Sequence, residues 1–193
     1  VYGMSATIQR GDRQDKKMLM QLGPIRHRYT AKERAQKQGI GHYVYPRFTK
    51  LVDLNPSEGK NPSDYYRLIM QSELRNMQVV SDTIDCVKRG RTPVIMTKYK
   101  EHAQKLYDML QGSADHVFLL QGGKSLKERS AIREQMAAVR ADESIILVAI
   151  GQYVGEGFNY PRLDTMLLAM PISLEGNVEQ HAGRLNRDYE GKK

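Results

Sequence analysis

Near the end of the chain, Gln180-His181-Ala182-Gly183-Arg184-Leu185-Asn186-Arg187 sets three long polar side chains at a fixed interval. Gln180, Arg184 and Arg187 lie at i, i+4 and i+7, so on a helix they form one stripe. Two arginines held on such a stripe suit a developing polyphosphate charge. A guanidinium is always charged, and its planar fork matches phosphate oxygens. On an arbitrary helix the same residues would form a solvated face, so the surrounding segments have to decide between the two readings.

Other segments carry residue types of interest. Gly151, Gly155 and Gly157 follow an apolar run, and Asn159 closes that loop. Glycines there let the backbone approach a ligand closely. Gln121-Gly122-Gly123-Lys124-Ser125 invites a phosphate-loop reading, but the pattern G-x-x-x-x-G-K-[ST] requires glycine at position 118, where this chain has Phe118. Ser125-Leu126-Lys127-Glu128 reads as a capping box for the next helix instead. The chain therefore lacks the part that would grip β- and γ-phosphates.

The elements that position these residues are legible from periodicity. Four continuous apolar runs, Val94–Met96, Val117–Leu120, Ile145–Ile150 and Thr165–Met170, read as buried parallel strands. Between them, Ala103, Leu106, Tyr107 and Leu110, then Ile132, Met136 and Val139, repeat with helical spacing. The strand–helix alternation predicts an α/β fold, a mostly parallel sheet covered by helices. Before it, Met70, Leu74, Met77, Val80, Ile84 and Val87 predict one long helix, capped by Ser63 and closed by Gly90 and Pro93. Residues 53–62 form a Pro/Gly/Asn loop, the expected domain boundary. His42–Val52 is β-prone, but Pro46 makes it an edge strand or an extended linker. Residues 31–38 read as an exposed basic helix or loop.

The chain has 193 residues, two-fifths of them hydrophobic, and a net charge of +8. That charge is uneven: residues 1–77 carry 14 Lys/Arg against 7 Asp/Glu, and the remainder 16 against 15. The basic first part favours a polyanion partner over a merely solvated surface. Cys86 is the single cysteine, which excludes an internal disulfide and a Cys-cluster zinc site and fits a reducing cytoplasm. His27, His42, His102, His116 and His181 show no metal-ligand spacing. No apolar run approaches the roughly 20 residues that span a bilayer. The start at Val1 suggests a piece of a longer protein.

Gln180 to Arg187 reads Q-x-x-G-R-x-x-R and resembles motif VI of superfamily 2 helicases and translocases. Ser5-Ala6-Thr7, followed by Gln9-Arg10-Gly11-Asp12, resembles motif III, with Ile8 where many relatives have proline. Val94 to Lys98 is similar to motif IV, and Leu120 to Arg129 to the segment after it. Ile146 to Asn159 resembles motif V, with Ile150 where threonine is frequent and Asn159 where aspartate is usual. Residues 18–48, with Gln21-Leu22-Gly23-Pro24-Ile25-Arg26, are similar to the bridge between motor domains in DEAD/DEAH-like helicases of the restriction and repair type.

The resemblance implies a RecA-like domain with helices on both faces of the sheet. Residues 1–52 would be the tail of a first RecA-like domain and the linker, and residues 53–193 the second, C-terminal domain. It implies Arg187 as the arginine finger on the γ-phosphate, Arg184 as a second phosphate contact and Gln180 as an orienting group. Gly155, Gly157 and Asn159 would lie beside the nucleotide, and Ser5 and Thr7 would couple the two domains. Thr97, Lys98, Gly122, Arg129 and Gly151 would face the nucleic-acid backbone. ATP with Mg2+ would be held mainly by the first domain, and the chain alone would not hydrolyse it. The partners implied are nucleic acid, DNA ahead of RNA, the first domain, and a nuclease or other fused domain. The alternative is a nucleic-acid-binding or protein-docking module that descends from such a motor without hydrolysing ATP.

Overall fold

The computed structural model describes residues 15–27, 33, 41, 43–49, 61–122, 126–150, 159–171, 182, 183, 185 and 189. Its centre is a sheet of four strands: β1 (Pro93–Thr97), β2 (His116–Leu120), β3 (Ile145–Ile150) and β4 (Thr165–Leu168). Every strand pair is parallel, in the order β2-β3-β1-β4. The helices are α1 (Asp15–Leu22), α2 (Pro62–Gln71), α3 (Glu73–Lys88), α4 (Lys100–Met109) and α5 (Leu126–Ala138). Each predicted apolar run thus holds a strand, and the two helices between β1 and β3 fall where the spacing puts them.

The strands are apolar on both sides because both sides are covered. Ile95, Leu119, Ile146, Val148 and Ile150 pack with Ala103, Leu106 and Leu110 of α4 and with Val79, Val80, Ile84 and Val87 of α3. On the opposite face, Val94, Met96, Leu120, Leu147 and Ala149 pack with Ile132 and Met136 of α5, Tyr160, Leu163 and Leu185. Ile95, Ile146, Leu147 and Val148 are fully buried. Burying a side chain of that size contributes about 1.5–3 kcal/mol each. The two-faced covering follows from connectivity. From β1 the chain passes β3's place to reach β2, then turns back to β3. Right-handed crossovers in opposite directions put their helices on opposite faces, as α4 and α5 are.

Polar staples tie the strands at their amino ends. Asp115 Oδ2 accepts from the Ser144 N–H and hydroxyl, each at 2.7 Å, and the Asp115 N–H donates to Ser144 Oγ at 2.9 Å. These bonds hold the Asp115 carboxyl below its ordinary range. Asp164 accepts from the Thr92 N–H at 3.1 Å, joining β1 to the start of β4. Arg162 donates to the carbonyls of Arg140, Ala141 and Glu143.

The long helix predicted ahead of the sheet is two helices. The first starts at Asn61 and Pro62, not Ser63: the Asn61 N–H donates to Asp64 Oδ2 at 3.1 Å, and Pro62 opens the first turn. Ser72 is extended and separates α2 from α3. The predicted stripe holds at Val80, Ile84 and Val87 but not in the first turns of α3. Leu74 and Met77 are exposed, whereas Asn76, Val79, Val80, Thr83, Ile84 and Val87 face inward. Asn76 sets the facing of those turns, since its amide donates to the Met70 carbonyl at 2.8 Å across the break. Gly90, at φ +70, closes α3 with its N–H on the Val87 carbonyl. Residues 43–49 form neither helix nor strand, and Arg47 binds Asp82 of α3 at 2.7 and 2.8 Å. Glu33 is helical and exposed. Among the described residues no helix is long and apolar enough to cross a membrane.

Candidate functional site

The carboxyl ends of the strands are where ligands meet an open parallel α/β sheet. Here β1 and β3 lie side by side, with Thr97 in register with Ile150. The carboxyl ends of β1 and β3 are therefore abreast, and Lys98 follows directly on β1. Gly122 is buried two residues past the end of β2, which flanks β3. Lys98 and Gly122, both singled out for nucleic acid, thus lie beyond the carboxyl ends of β1 and β2 on one edge of the sheet.

Lys98 is exposed. Its ammonium lies 4.4 Å from the centroid of the Tyr66 ring and 5.8 Å from that of Tyr99. Thr97 is the opposite case. It is buried, and its hydroxyl meets His102 Nδ1 at 2.8 Å. His102 Nε2 meets Asn76 Oδ1 at 2.9 Å, and the Asn76 amide donates to the Met70 carbonyl. The roles in this chain are fixed by chemistry. An amide oxygen only accepts, so His102 carries its proton on Nε2, and its bare Nδ1 accepts the Thr97 proton. Burial, then the charges of Arg75 and Lys105, push the His102 pKa down to about 4, so the ring is neutral. A hydroxyl has one proton, and Thr97 donates it inward. In this arrangement its hydroxyl braces the strand end that Lys98 follows.

Asn76, His102, Tyr66 and Tyr99 were not singled out in the sequence. Metal spacing was the wrong test for His102. Its place four residues before Leu106 puts it on the apolar face of α4, and a buried imidazole needs partners. Tyr99 adjoins Lys98 directly, a signal that was readable. Tyr66 lies on another helix, and only the fold brings it to Lys98.

Ile150 is buried against α3 and α4, so the end of β3 offers no hydroxyl there. Phe118 lies within β2, packed against the core, where a phosphate loop would need its first glycine. Asn159 is exposed just ahead of Tyr160, whose hydroxyl donates to the Met136 carbonyl at 3.0 Å. Ala182, Gly183 and Leu185 are helical, and Leu185 packs against the core with Met136 and Leu163. Gln180, Arg184, Arg187, Gly155, Gly157, Gly151, Ser5, Thr7 and the segment Gly123–Ser125 lie outside the described residues. Arg129 falls within α5, and its side chain is not among those described. Among the described residues no group of three His, Cys, Asp or Glu side chains could hold a metal ion.

No family model matches the chain. It is 27% identical over 154 residues to Transcript termination protein A18 of fowlpox virus (strain NVSL), a match covering 75% of this chain and 32% of that protein. The protein of the same name from myxoma virus (strain Lausanne) is 25% identical over 134 residues, covering 67% and 27%. The chain spans between a quarter and a third of the length of the curated relatives it matches. Among solved structures, T4 UvsW superposes with a TM-score of 0.54 at 20% identity, over 66% of this chain and 25% of that one. Together with the all-parallel sheet flanked by helices, the likeness to T4 UvsW shows that the chain has a RecA-like α/β fold, and its motifs resemble those of superfamily 2 helicases.

Proposed function

We propose that the chain works as the second motor domain of an ATP-dependent helicase or translocase, across a cleft from a first RecA-like domain that holds ATP and Mg2+. Residues 1–52 are then the tail of that first domain and the linker, and residues 53–193 the motor domain proper. Arg187 is the arginine finger, Arg184 the second phosphate contact and Gln180 the orienting amide. Gly155, Gly157 and Asn159 border the nucleotide, and Ser5 and Thr7 relay between the domains. Lys98, Gly122, Arg129 and Gly151 meet the nucleic-acid backbone. Such contacts fix register without reading sequence. A finger stabilises charge on the transferring phosphoryl group, and hydrolysis then changes how tightly the two domains clasp the strand.

The observation that carries this reading is the register of Thr97 with Ile150, which sets the exits of β1 and β3 abreast. Leu185, within the same sequence segment as the stripe of Gln180, Arg184 and Arg187, is helical and packs against the core, which supports a helical reading of the segment. The curated relatives are transcript termination proteins by name, which keeps RNA beside DNA as a partner.

Two assays test the reading on the purified chain. Phosphate release from ATP is expected to be nil with and without nucleic acid, because no phosphate loop is present. Turnover abolished by Lys124→Ala but not by Arg187→Ala would refute the assignment. Binding to DNA and RNA single strands is expected to be weak, without sequence preference and steeply salt-dependent, through release of counterions. Affinity that stays flat as salt rises would argue against a surface that follows the backbone.

A further inference from the structure

Lys98 differs from other described cations in what holds it. Lys105 is neutralised by Glu73 at 2.7 Å, Arg47 by Asp82 at 2.7 Å and Arg140 by Asp142 at 2.9 Å. Lys98 makes no ion pair with any described residue. Two half-buried tyrosines hold it instead, their rings 6.0 Å apart and tilted by 56°. A ring face attracts an ammonium through its quadrupole, yet adds no negative charge. The lysine is thus confined while its full charge stays free for an anion.

The two rings come from different elements. Tyr66 stands on α2, and Tyr99 caps the start of α4. Their relative position is tied down by the buried chain Met70–Asn76–His102–Thr97, which links α2, α3, α4 and the end of β1. The hydroxyl of Thr97 thereby fixes the residue just before Lys98, and the rings fix its side chain. A lysine on a free surface loses rotamer freedom when a ligand immobilises it. One already confined loses less.

We propose that Tyr66 and Tyr99 are positioning residues that hold the Lys98 ammonium ready for one phosphate of a nucleic-acid strand. The proposal rests on the nucleic-acid reading of Lys98 given above and deepens it. The rings act through the lysine and do not themselves stack on bases. Phenylalanine at position 66 therefore serves as well as tyrosine, and leucine does not.

The test uses the 193-residue chain and a labelled oligothymidylate single strand, titrated at several salt concentrations. Lys98→Ala is expected to weaken binding and to flatten the plot of log affinity against log salt by about 0.7, the loss of one phosphate contact on a single strand. Tyr66→Leu is expected to weaken binding about twofold to fivefold, the scale of an exposed cation–π contact. Tyr66→Phe should stay near wild type. The deciding measurement is the double variant: in the Lys98→Ala background, Tyr66→Leu should have no further effect. Tyr99→Leu serves as the second probe should Tyr66→Leu melt early. An equal loss from Tyr66→Leu with and without Lys98 would overturn the proposal, since the ring would then bind the strand itself. No loss from either leucine variant would also overturn it while leaving the nucleic-acid reading in place. A wild-type chain that shows no salt-dependent binding would remove that reading and this proposal together.

Discussion

The buried imidazole of His102 gives the chain a defined pH dependence. Only 1% of the residue is exposed, and its neutral form is satisfied on both nitrogens. Its pKa falls from 6.5 to about 4 on folding. Between those values the unfolded chain binds a proton that the folded chain refuses. Stability therefore rises with pH in this window: it is complete above about pH 6.5 and is lost as pH falls toward 4. The full shift corresponds to about 3 kcal/mol, and the part spent between pH 7 and pH 5 is about 2 kcal/mol. Among the described residues, the other groups with displaced titrations stay outside the window. Ser144 holds Asp115 low, and burial raises Cys86 and Tyr160. Urea unfolding of wild type and His102→Asn at pH 7 and pH 5 reads the difference. Wild type should lose about 2 kcal/mol more than the variant on acidification. Parallel losses in the two proteins would refute the assignment of a buried neutral ring.

A Cβ built on Gly183 meets nothing within 4 Å, and the residue is helical, so Gly183→Ala should stabilise the isolated chain by about 0.5–1 kcal/mol, read by chemical denaturation. If the same change lowers ATP turnover in the full-length protein, the open space is one that the nucleotide or the facing domain fills. Tyr160→Phe removes the donor to the Met136 carbonyl and should cost about 1 kcal/mol, with no change in nucleic-acid affinity. Leu185→Ala takes a partly buried side chain from the core and should lower stability by about 1–2 kcal/mol, scored by thermal melting.

The sheet was readable because parallel strands covered on both faces are continuous apolar runs, and Ile145–Ile150 could be nothing else. The helices α4 and α5 were readable from spacing alone. What misled was a polar residue on a buried face. Asn76 interrupts the apolar stripe of α3, so periodicity aligned on Leu74 and Met77, which point to solvent. The break at Ser72 carries no proline or glycine, and only the long-range bonds from Asn76 to Met70 and His102 explain where the helix divides. At the site, Lys98 was singled out through the resemblance of Val94 to Lys98 to motif IV, and it follows directly on β1. The buried brace behind it was not legible, because hydrogen-bond partners 26 and 5 residues apart leave no local pattern.

The central claim is that this domain supplies the finger that completes an ATP site on a neighbouring one, and one measurement addresses it most directly. Nucleic-acid-stimulated ATP turnover and nucleotide affinity are compared in the full-length protein for wild type, Arg187→Ala and Arg187→Lys, each shown to be folded. The account predicts that Arg187→Ala loses most of the turnover, on a scale of about 10³–10⁵ for fingers of this kind. Nucleotide binding should be largely unchanged, and Arg187→Lys should rescue little because a point charge does not reproduce the fork. Turnover of Arg187→Ala within a few-fold of wild type would contradict it and move the finger to Arg184. A wild-type protein that binds nucleic acid without hydrolysing ATP would contradict the motor assignment itself.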